Sequence, residues 1–415
     1  MRTEIRGDGL TTDSPITGRP LHALVAGAGI GGLSAALALA RAGWRVTVLE
    51  RAAVIEEAGA GLQISPNASR ILADFGVLDR LRLTATEPEA LYIRRARDGS
   101  ELIRLPLGPL AQLRWKSPYL VAHRADLQRT LIEALAHEPS VVIKTATSVL
   151  GFASSDEGVQ VGGKMGLANV RFEGDLLIAA DGLRSVLRGR MGLGLNDKPV
   201  YSGRTAWRAL VDAQDAPAFA LRLNSNLWVG PKAHLVHYPL RGGSVVNVVA
   251  ITEDPWRGDD GKDFWSVSGD AAAVSRRFAK WHPDARALVG AVREWRRWPL
   301  FDRNPVTRWS VDRVVLLGDA AHPVLPFLAQ GAALAIEDAY ALGVAASRHG
   351  VDVRALIADY EKARIARAAT VNTASRRQGF IYHLPEPLGL ARDFAMRSLG
   401  PERLMEKLDW LYLNQ

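Results

Sequence analysis

The sequence predicts an α/β protein in which a Rossmann-like parallel sheet is interleaved with an antiparallel-sheet domain and followed by C-terminal helices. Three observations predict it. The short apolar run Leu21-His22-Ala23-Leu24-Val25-Ala26 feeds directly into glycines, as a buried parallel strand entering a tight turn does. Residues near 91–119 and 200–256 alternate apolar and polar positions between Gly, Pro and Asp turns, the pattern of half-buried antiparallel strands. Ala355–Arg376 has the spacing of a long charged amphipathic helix. A chain of 415 residues, 48% hydrophobic, can bury more than one core.

Taken in order, Met1 to Pro20 is polar and rich in Gly, Pro and Thr, so a flexible leader is expected there and not a signal peptide. After the first strand and its glycines, Ser34 to Ala42 is alanine- and leucine-rich without a breaker and should be helical. Arg45-Val46-Thr47-Val48-Leu49-Glu50 is again a strand, completing a βαβ unit. Helical spacing returns at Asp126–Ala136 and Ala332–Ser347, and strand alternation is clearest in Leu235–Pro239 and Ser244–Val249. The amphipathic stretch Leu404–Tyr412 can pack on its own domain or on a partner, which leaves monomer and homodimer both open.

Composition narrows the function. There is no cysteine, so disulfides, thiolate metal sites and cysteine nucleophiles are excluded, and no metal site is expected. The net charge of +8 is not gathered into a stripe: arginines alternate with acids, as in Glu294-Trp295-Arg296-Arg297-Trp298. It reads as a solvated surface and not as a nucleic-acid footprint. No stretch has the length and apolarity of a membrane span, and a soluble cytoplasmic protein is the simplest expectation.

Gly27-Ala28-Gly29-Ile30-Gly31-Gly32 matches G-x-G-x-x-G between a strand and a helix. Gly27, Gly29 and Gly32 then serve the turn, the approach of a pyrophosphate and close helix–strand packing. Glu50, at the end of the second strand, is placed to accept hydrogen bonds from ribose hydroxyls, and its charge argues against a 2′-phosphate there. Two later strands end alike: Leu176–Ala180 runs into Asp181-Gly182, and Val314–Leu317 into Gly318-Asp319. An aspartate at the carboxyl edge of the sheet can hold a polyol hydroxyl, which FAD has in its ribitol and NAD lacks.

With these motifs in order, the chain resembles the class A FAD-dependent aromatic hydroxylases of the para-hydroxybenzoate hydroxylase fold, and in particular their salicylate, 3-hydroxybenzoate and 6-hydroxynicotinate hydroxylase branch. Further similarity lies in Gly59–Asn67, His123–Leu127, Pro323 with Gln330-Gly331-Ala332, and Asp409–Tyr412. The resemblance implies tight, non-covalent FAD, with Glu50 on the adenosine ribose, Arg51 along the adenine or pyrophosphate, and Val149 touching adenine through its backbone. It implies Arg124 on the diphosphate–ribityl region, Asp319 on the ribitol, and Gly331 and Ala332 N–H groups at the flavin pyrimidine edge, with Asp181-Gly182 serving both FAD and the reduced nicotinamide. It divides the chain into an FAD-binding domain (21–90, 120–198 and 307–375), a substrate domain (91–119 and 199–306) and a helical extension (376–415). It implies a monooxygenase in which NADH or NADPH reduces the flavin and O2 adds to give a flavin hydroperoxide that hydroxylates a small aromatic, with or without decarboxylation.

Such chemistry needs a base at a ring hydroxyl. On a strand, His234, Val236 and Tyr238 share one face and Leu235 and His237 the other, so His234 and Tyr238 can meet one ligand. A His-x-x-x-Tyr pair before a proline lies in the substrate pocket of the resembling branch, which favours His234 over His237. Pro326 and Phe327, within an apolar run beside the flavin edge, should form the opposite wall. Arg208 fits a cation for a substrate carboxylate and an interdomain salt bridge equally well. Other reactions on the same fold, a halogenase or a lipid reductase, remain the alternative: Trp295–Trp298 lacks the halogenase spacing, and a lipid reductase needs a longer apolar tunnel.

Overall fold

The computed structural model describes residues 19–55, 61–194, 197–255 and 268–413. All but the last two residues of the expected leader, and Gly59-Ala60 of the Gly59–Asn67 segment, lie outside these.

The βαβ unit consists of the strand His22–Ala26, the helix Ile30–Arg41 and the strand Arg45–Leu49. Its helix is buried at all positions from Ile30 to Ala40 except Gly31, so it has no polar face. The reason is that it lies between the sheet and a second helix, Gly331–His349, that crosses it closely: a Cβ on Gly343 would stand 2.8 Å from the Ala38 Cβ. Each leucine removed from water here contributes about 1.5–3 kcal/mol.

The first strand pairs in parallel with Arg45–Leu49 on one side and with Leu176–Ala179 on the other. Val141–Lys144 and Val314–Leu316 extend the sheet in parallel, and the short strand Ser310–Val311 adds an antiparallel edge, giving six strands. The strands ending before Gly27, Glu50, Asp181 and Gly318 thus share one carboxyl edge, the edge at which ligands bind in such sheets. A three-stranded antiparallel meander, Thr147–Ser154, Val159–Met165 and Ala168–Gly174, is inserted before the Leu176 strand.

Among the described residues the second large sheet has eight strands in the order Ser268–Gly269, Trp295–Asp302, Val200–Asp212, Val245–Glu253, Ala233–Leu240, Asn224–Gly230, Ala90–Arg95, Glu101–Pro106. It is antiparallel except where Asn224–Gly230 meets Ala90–Arg95 in parallel, a junction between segments that reach the sheet from separate passes of the chain. The strand pattern read over 91–119 also gives way to a helix, Pro109–Trp115, which starts after Gly108 at φ +60° with proline in its first turn.

One face of this sheet packs on the helices Ala271–Phe278 and Pro283–Gly290, the other on the long helix Val353–Tyr382 and the C-terminal helices. Leu404–Tyr412 packs on its own chain: Arg114 holds Asp409 through two bonds at 2.8 and 2.5 Å, Trp115 Nε1 donates to the same carboxylate at 2.9 Å, and the Trp115 and Tyr412 rings meet edge to face. Among the described residues no helix is long and apolar enough to cross a membrane.

Candidate active site between the two sheets

At the first strand end, Gly27 has φ +106°, and a Cβ there would lie 2.5 Å from the Ala180 carbonyl oxygen. A Cβ on Gly32 would lie 2.0 Å from the Gly27 oxygen, whereas Gly29 faces open space. The turn is therefore tight on its protein side and open on its outer side. Gly29 caps the helix Ile30–Arg41 without a side-chain bond, so the first-turn N–H groups have no intrahelical acceptor and can meet an anion. Glu50 is oriented by two backbone donors, Ala28 N and Ala52 N, each at 2.8 Å, which leaves lone pairs for hydroxyl donors. Arg51 is exposed beside it, and Thr147 N, two residues before Val149, donates to the Glu50 carbonyl at 2.7 Å.

From Gly29 and Gly31 a cavity of about 340 Å³ runs between the sheets, lined also by Arg124, Arg208, His234, Val236, Tyr238, Asp319, Pro326, Gly331 and Ala332. Asp319 is exposed at its lip with no hydrogen bond to protein among the described residues. Two arginines flank this carboxylate. Burial pulls Arg124 down to about 10 although Asp319 opposes it, and burial lowers Arg208 against the pull of Tyr238 and Asp319. Among the described residues, a half-enclosed cavity with two arginines, one carboxylate free of protein partners and N–H groups at two helix starts fits a dinucleotide that carries a diphosphate and a polyol.

The second of those helix starts is held by a network that joins distant segments. Asn67 Nδ2 donates to Gln330 Oε1 at 3.0 Å, Gln330 Nε2 donates to Ser65 Oγ at 2.9 Å, and Ser65 Oγ donates to Asn67 Oδ1 at 2.6 Å. Gly331 and Ala332 follow Gln330 immediately. Gly318 N donates to the buried Asp338 at 3.0 Å, which fixes the residue before Asp319.

Asp181 does not line the cavity. Its carboxylate accepts from Ser185 Oγ at 2.5 Å and Leu187 N at 3.2 Å, so it organises the start of the helix Val186–Met191, while Gly182 reaches the cavity wall. In that helix the buried Arg188 donates to the carbonyls of Ala320 and Ala321 at 2.8 and 2.5 Å. Asp181 thus bears on Asp319 through Arg188.

On the strand Ala233–Leu240 the alternation places His234, Val236 and Tyr238 on the cavity. His237 points the other way, edge-on to Phe219 at 5.6 Å, and burial holds it down to about 3. Burial also lowers His234 well below the ordinary imidazole value and raises the Tyr238 phenol, so both are neutral near pH 7. Phe327 lies 5.5 Å from the His234 ring and against the backbone of Gly379, where a Cβ would come within 2.5 Å of it.

The structure separates the two readings of Arg208 and adds residues that sequence reasoning did not reach, His383, Gln63 and Tyr119. Arg208 makes no ion pair among the described residues; its guanidinium sits 5.2 Å from the Trp298 ring centroid and its Nε is buried without an acceptor. His383 pairs with His234, Nε2 to Nδ1 at 2.8 Å, although 149 residues separate them. Gln63 and Tyr119, hydrogen-bonded to each other, line a second, apolar cavity of about 1190 Å³. That cavity shares Gln63, His234, Val236, Pro326 and Ala329 with the first and extends under the C-terminal helices.

The family model described as "FAD binding domain" matches residues 21–375. A 3-hydroxybenzoate 6-hydroxylase of Polaromonas naphthalenivorans is 38% identical over 395 residues, covering 94% of this chain and 96% of its own. A 3-amino-4-hydroxybenzoate 2-monooxygenase of Streptomyces platensis is 36% identical over 398 residues, 95% of this chain and 96% of its own. Among solved structures, Klebsiella pneumoniae HpxO complexed with FAD and uric acid superposes with a TM-score of 0.82 at 29% identity, over 95% of this chain and 97% of that one. A salicylate hydroxylase substrate complex superposes at 0.79 with 24% identity, over 95% of each chain, a likeness of fold.

Proposed function

Since the chain belongs to the FAD-binding domain family of flavoprotein hydroxylases, we propose that it is an FAD-dependent monooxygenase that uses NADH or NADPH and O2 to hydroxylate a small hydroxybenzoate or hydroxypyridine ring. The observation that carries the reading is the convergence, in one cavity, of a histidine and a tyrosine from one strand with Asp319, Arg124 and the free helix start at Gly331. FAD, when bound and reduced, supplies the dioxygen chemistry.

The protein's part is to bind, orient and exclude water. Gly27, Gly29 and Gly32 shape the diphosphate turn; Glu50, with Arg51 and Val149 nearby, holds the adenosine end. Arg124 and Asp319 hold the diphosphate–ribityl region, Gly331 and Ala332 N–H groups face the flavin ring, and Asp181 supports Asp319 from behind. Pro326 and Phe327 form the apolar wall against which the aromatic ring lies. Tyr238 hydrogen-bonds the ring hydroxyl and His234 takes its proton, which raises electron density at the carbon to be oxidised. The division into an FAD-binding part (21–90, 120–198, 307–375), a substrate part (91–119, 199–306) and a helical extension from 376 follows these roles, and we place the enzyme in the cytoplasm as a monomer or homodimer.

Arg208 is the group we assign to a substrate carboxylate, because it is a cation at the cavity without an acceptor for its Nε. Arg208→Met keeps bulk and removes charge. A charged hydrogen bond contributes about 1.5–3 kcal/mol, so KM for a carboxylated ring should rise roughly ten- to hundredfold while a ring without a carboxylate is little affected. Equal losses for both substrates would show that Arg208 serves the cofactor.

The test of the reading is a screen of 3-hydroxybenzoate, 3-amino-4-hydroxybenzoate, salicylate and hydroxypyridines for stimulated NADH or NADPH oxidation with O2 uptake. At least one should give a product heavier by one oxygen atom, or one that has gained an oxygen atom and lost carbon dioxide. Halide-dependent product, or reduction of an unsaturated lipid without O2 uptake, would assign the protein to the alternative chemistries.

A further inference from the structure

His234 is buried, and a base that removes a proton in a closed site needs somewhere to send it. Its Nδ1 is engaged with His383, so Nε2 is the nitrogen available to a ligand in the cavity. His383 Nδ1 in turn lies 3.2 Å from Glu253 Oε1. His383 is 3% exposed, and the Glu253 side chain is 36% exposed at the end of the strand Val245–Glu253. The line His234–His383–Glu253 therefore connects the cavity to water through two ring nitrogen pairs.

We propose that His383 and Glu253 form a proton relay that carries the substrate hydroxyl proton from His234 to solvent and back. The proposal rests on the base role assigned to His234 above. In the resting arrangement His234 Nδ1–H donates to His383 Nε2, and His383 Nδ1–H donates to the Glu253 carboxylate. When a ligand O–H bond breaks, its proton forms His234 Nε2–H. The His234 Nδ1 proton passes to His383 Nε2, the His383 Nδ1 proton passes to Glu253, and Glu253 releases it to water. The ligand is left as an anion, each imidazole has exchanged one tautomer for the other, and neither keeps a net charge. Reversal of the same steps returns a proton when the oxidised ring needs one.

Two features support a relay over a static pair. First, His383 Nδ1 has a partner in both tautomers. When protonated it donates to Glu253, and when deprotonated it can accept from Arg204 Nε, which lies 3.5 Å away on the strand Val200–Asp212. Arg204 also lies 3.7 Å from Glu253, so acceptor and donor are held together.

Second, the surroundings oppose a resting charge on either ring. Burial, then His383 and Arg204, lowers His234; burial, then Arg204 and Arg392, lowers His383 to about 3. The rings of Phe327 and Tyr382 also pack against the pair. Tyr382 is neutral, since burial raises it to about 12. Groups that cannot hold a proton as cations can still pass one by exchanging tautomers.

The test uses oxidised holoenzyme and 3-hydroxybenzoate as probe, with no turnover. Stopped-flow absorbance follows phenolate formation, and an indicator dye follows proton appearance in bulk. In the wild type the two should coincide. In His383→Gln both should slow roughly tenfold or more with the dissociation constant unchanged.

Glu253→Gln lies at the surface and is expected to fold even if the His383 variant does not. It should slow phenolate formation and proton appearance together, since neither ring can store the proton as a cation, and added imidazole should restore both. If both variants release protons at the wild-type rate, or lose only affinity, the relay is overturned. His234→Gln separates the two readings: ionisation at the wild-type rate in that variant would remove the base role itself, whereas its loss there alone would remove only the relay.

Discussion

Asp338→Ala is expected to cost about 3–5 kcal/mol of stability and to release bound flavin, read as a lower thermal midpoint and a flavin content well below one per chain. Asp338 is fully buried and accepts three hydrogen bonds, from Gly318 N at 3.0 Å, Arg364 Nε at 2.8 Å and His322 Nε2. Alanine removes the acceptor of all three bonds in a fully buried site. Arg364 keeps Glu337 at 2.8 Å, which sets the loss toward the lower end of that range. The flavin effect arises because Gly318 N is one of the three donors and Asp319 is the next residue.

The same group gives the sign of one pH dependence. Burial resists ionisation of Asp338, but His322 and Arg364 outweigh it and hold the carboxyl below its usual value. A depressed folded pKa contributes stability that is complete above the unfolded value, about 4, and is lost as pH falls through the folded value. Four buried histidines act earlier. His123, His234, His237 and His383 are all held below 6.5, so the unfolded chain takes up their protons first and stability begins to fall below that pH. Acid unfolding should therefore show an upper limb from the histidines and a lower one from the aspartates held low, Asp126, Asp197 and Asp338 among them, and Asp338→Asn should shrink only the lower limb.

What the sequence made legible was whatever a local pattern can encode. The glycine turn, Glu50 at a strand end, Gly318-Asp319 at another, and the common face of His234 and Tyr238 each follow from a period or a strand terminus within about ten residues. Arg208 was visible as a residue but not as a cation without an ion pair, because its lack of an acid partner among the described residues depends on every element packed around it. His383 carried no signal: it reaches His234 only because the helix Val353–Tyr382 ends beside the second sheet. Asp181 looked like Asp319 in sequence, and only Ser185 and Leu187 distinguish a carboxylate organising a helix start from one left free. The parallel junction of Asn224–Gly230 with Ala90–Arg95 was hidden for a related reason, since alternation fixes which face is buried but not which strand lies alongside.

His234→Gln should lower kcat for hydroxylation by about 10²–10⁴-fold, the usual contribution of a positioned proton acceptor, with KM for the aromatic substrate changed much less. Glutamine keeps polarity and approximate length, so Phe327 and Tyr382 retain a neighbour, but no nitrogen remains that can take a proton near neutral pH. The pH profile carries the sharper argument. In the wild type His234 is neutral well below pH 6.5, so the rate should stay level from neutral pH down past the point at which an ordinary imidazole would titrate. In the variant the ring hydroxyl must lose its proton to solvent species, and the rate should climb about tenfold per pH unit toward a phenol value near 10. A variant that kept both the wild-type rate and the level profile would move the base elsewhere in the cavity. Tyr238 could not take its place, since burial raises its phenol and keeps it a donor across the whole range.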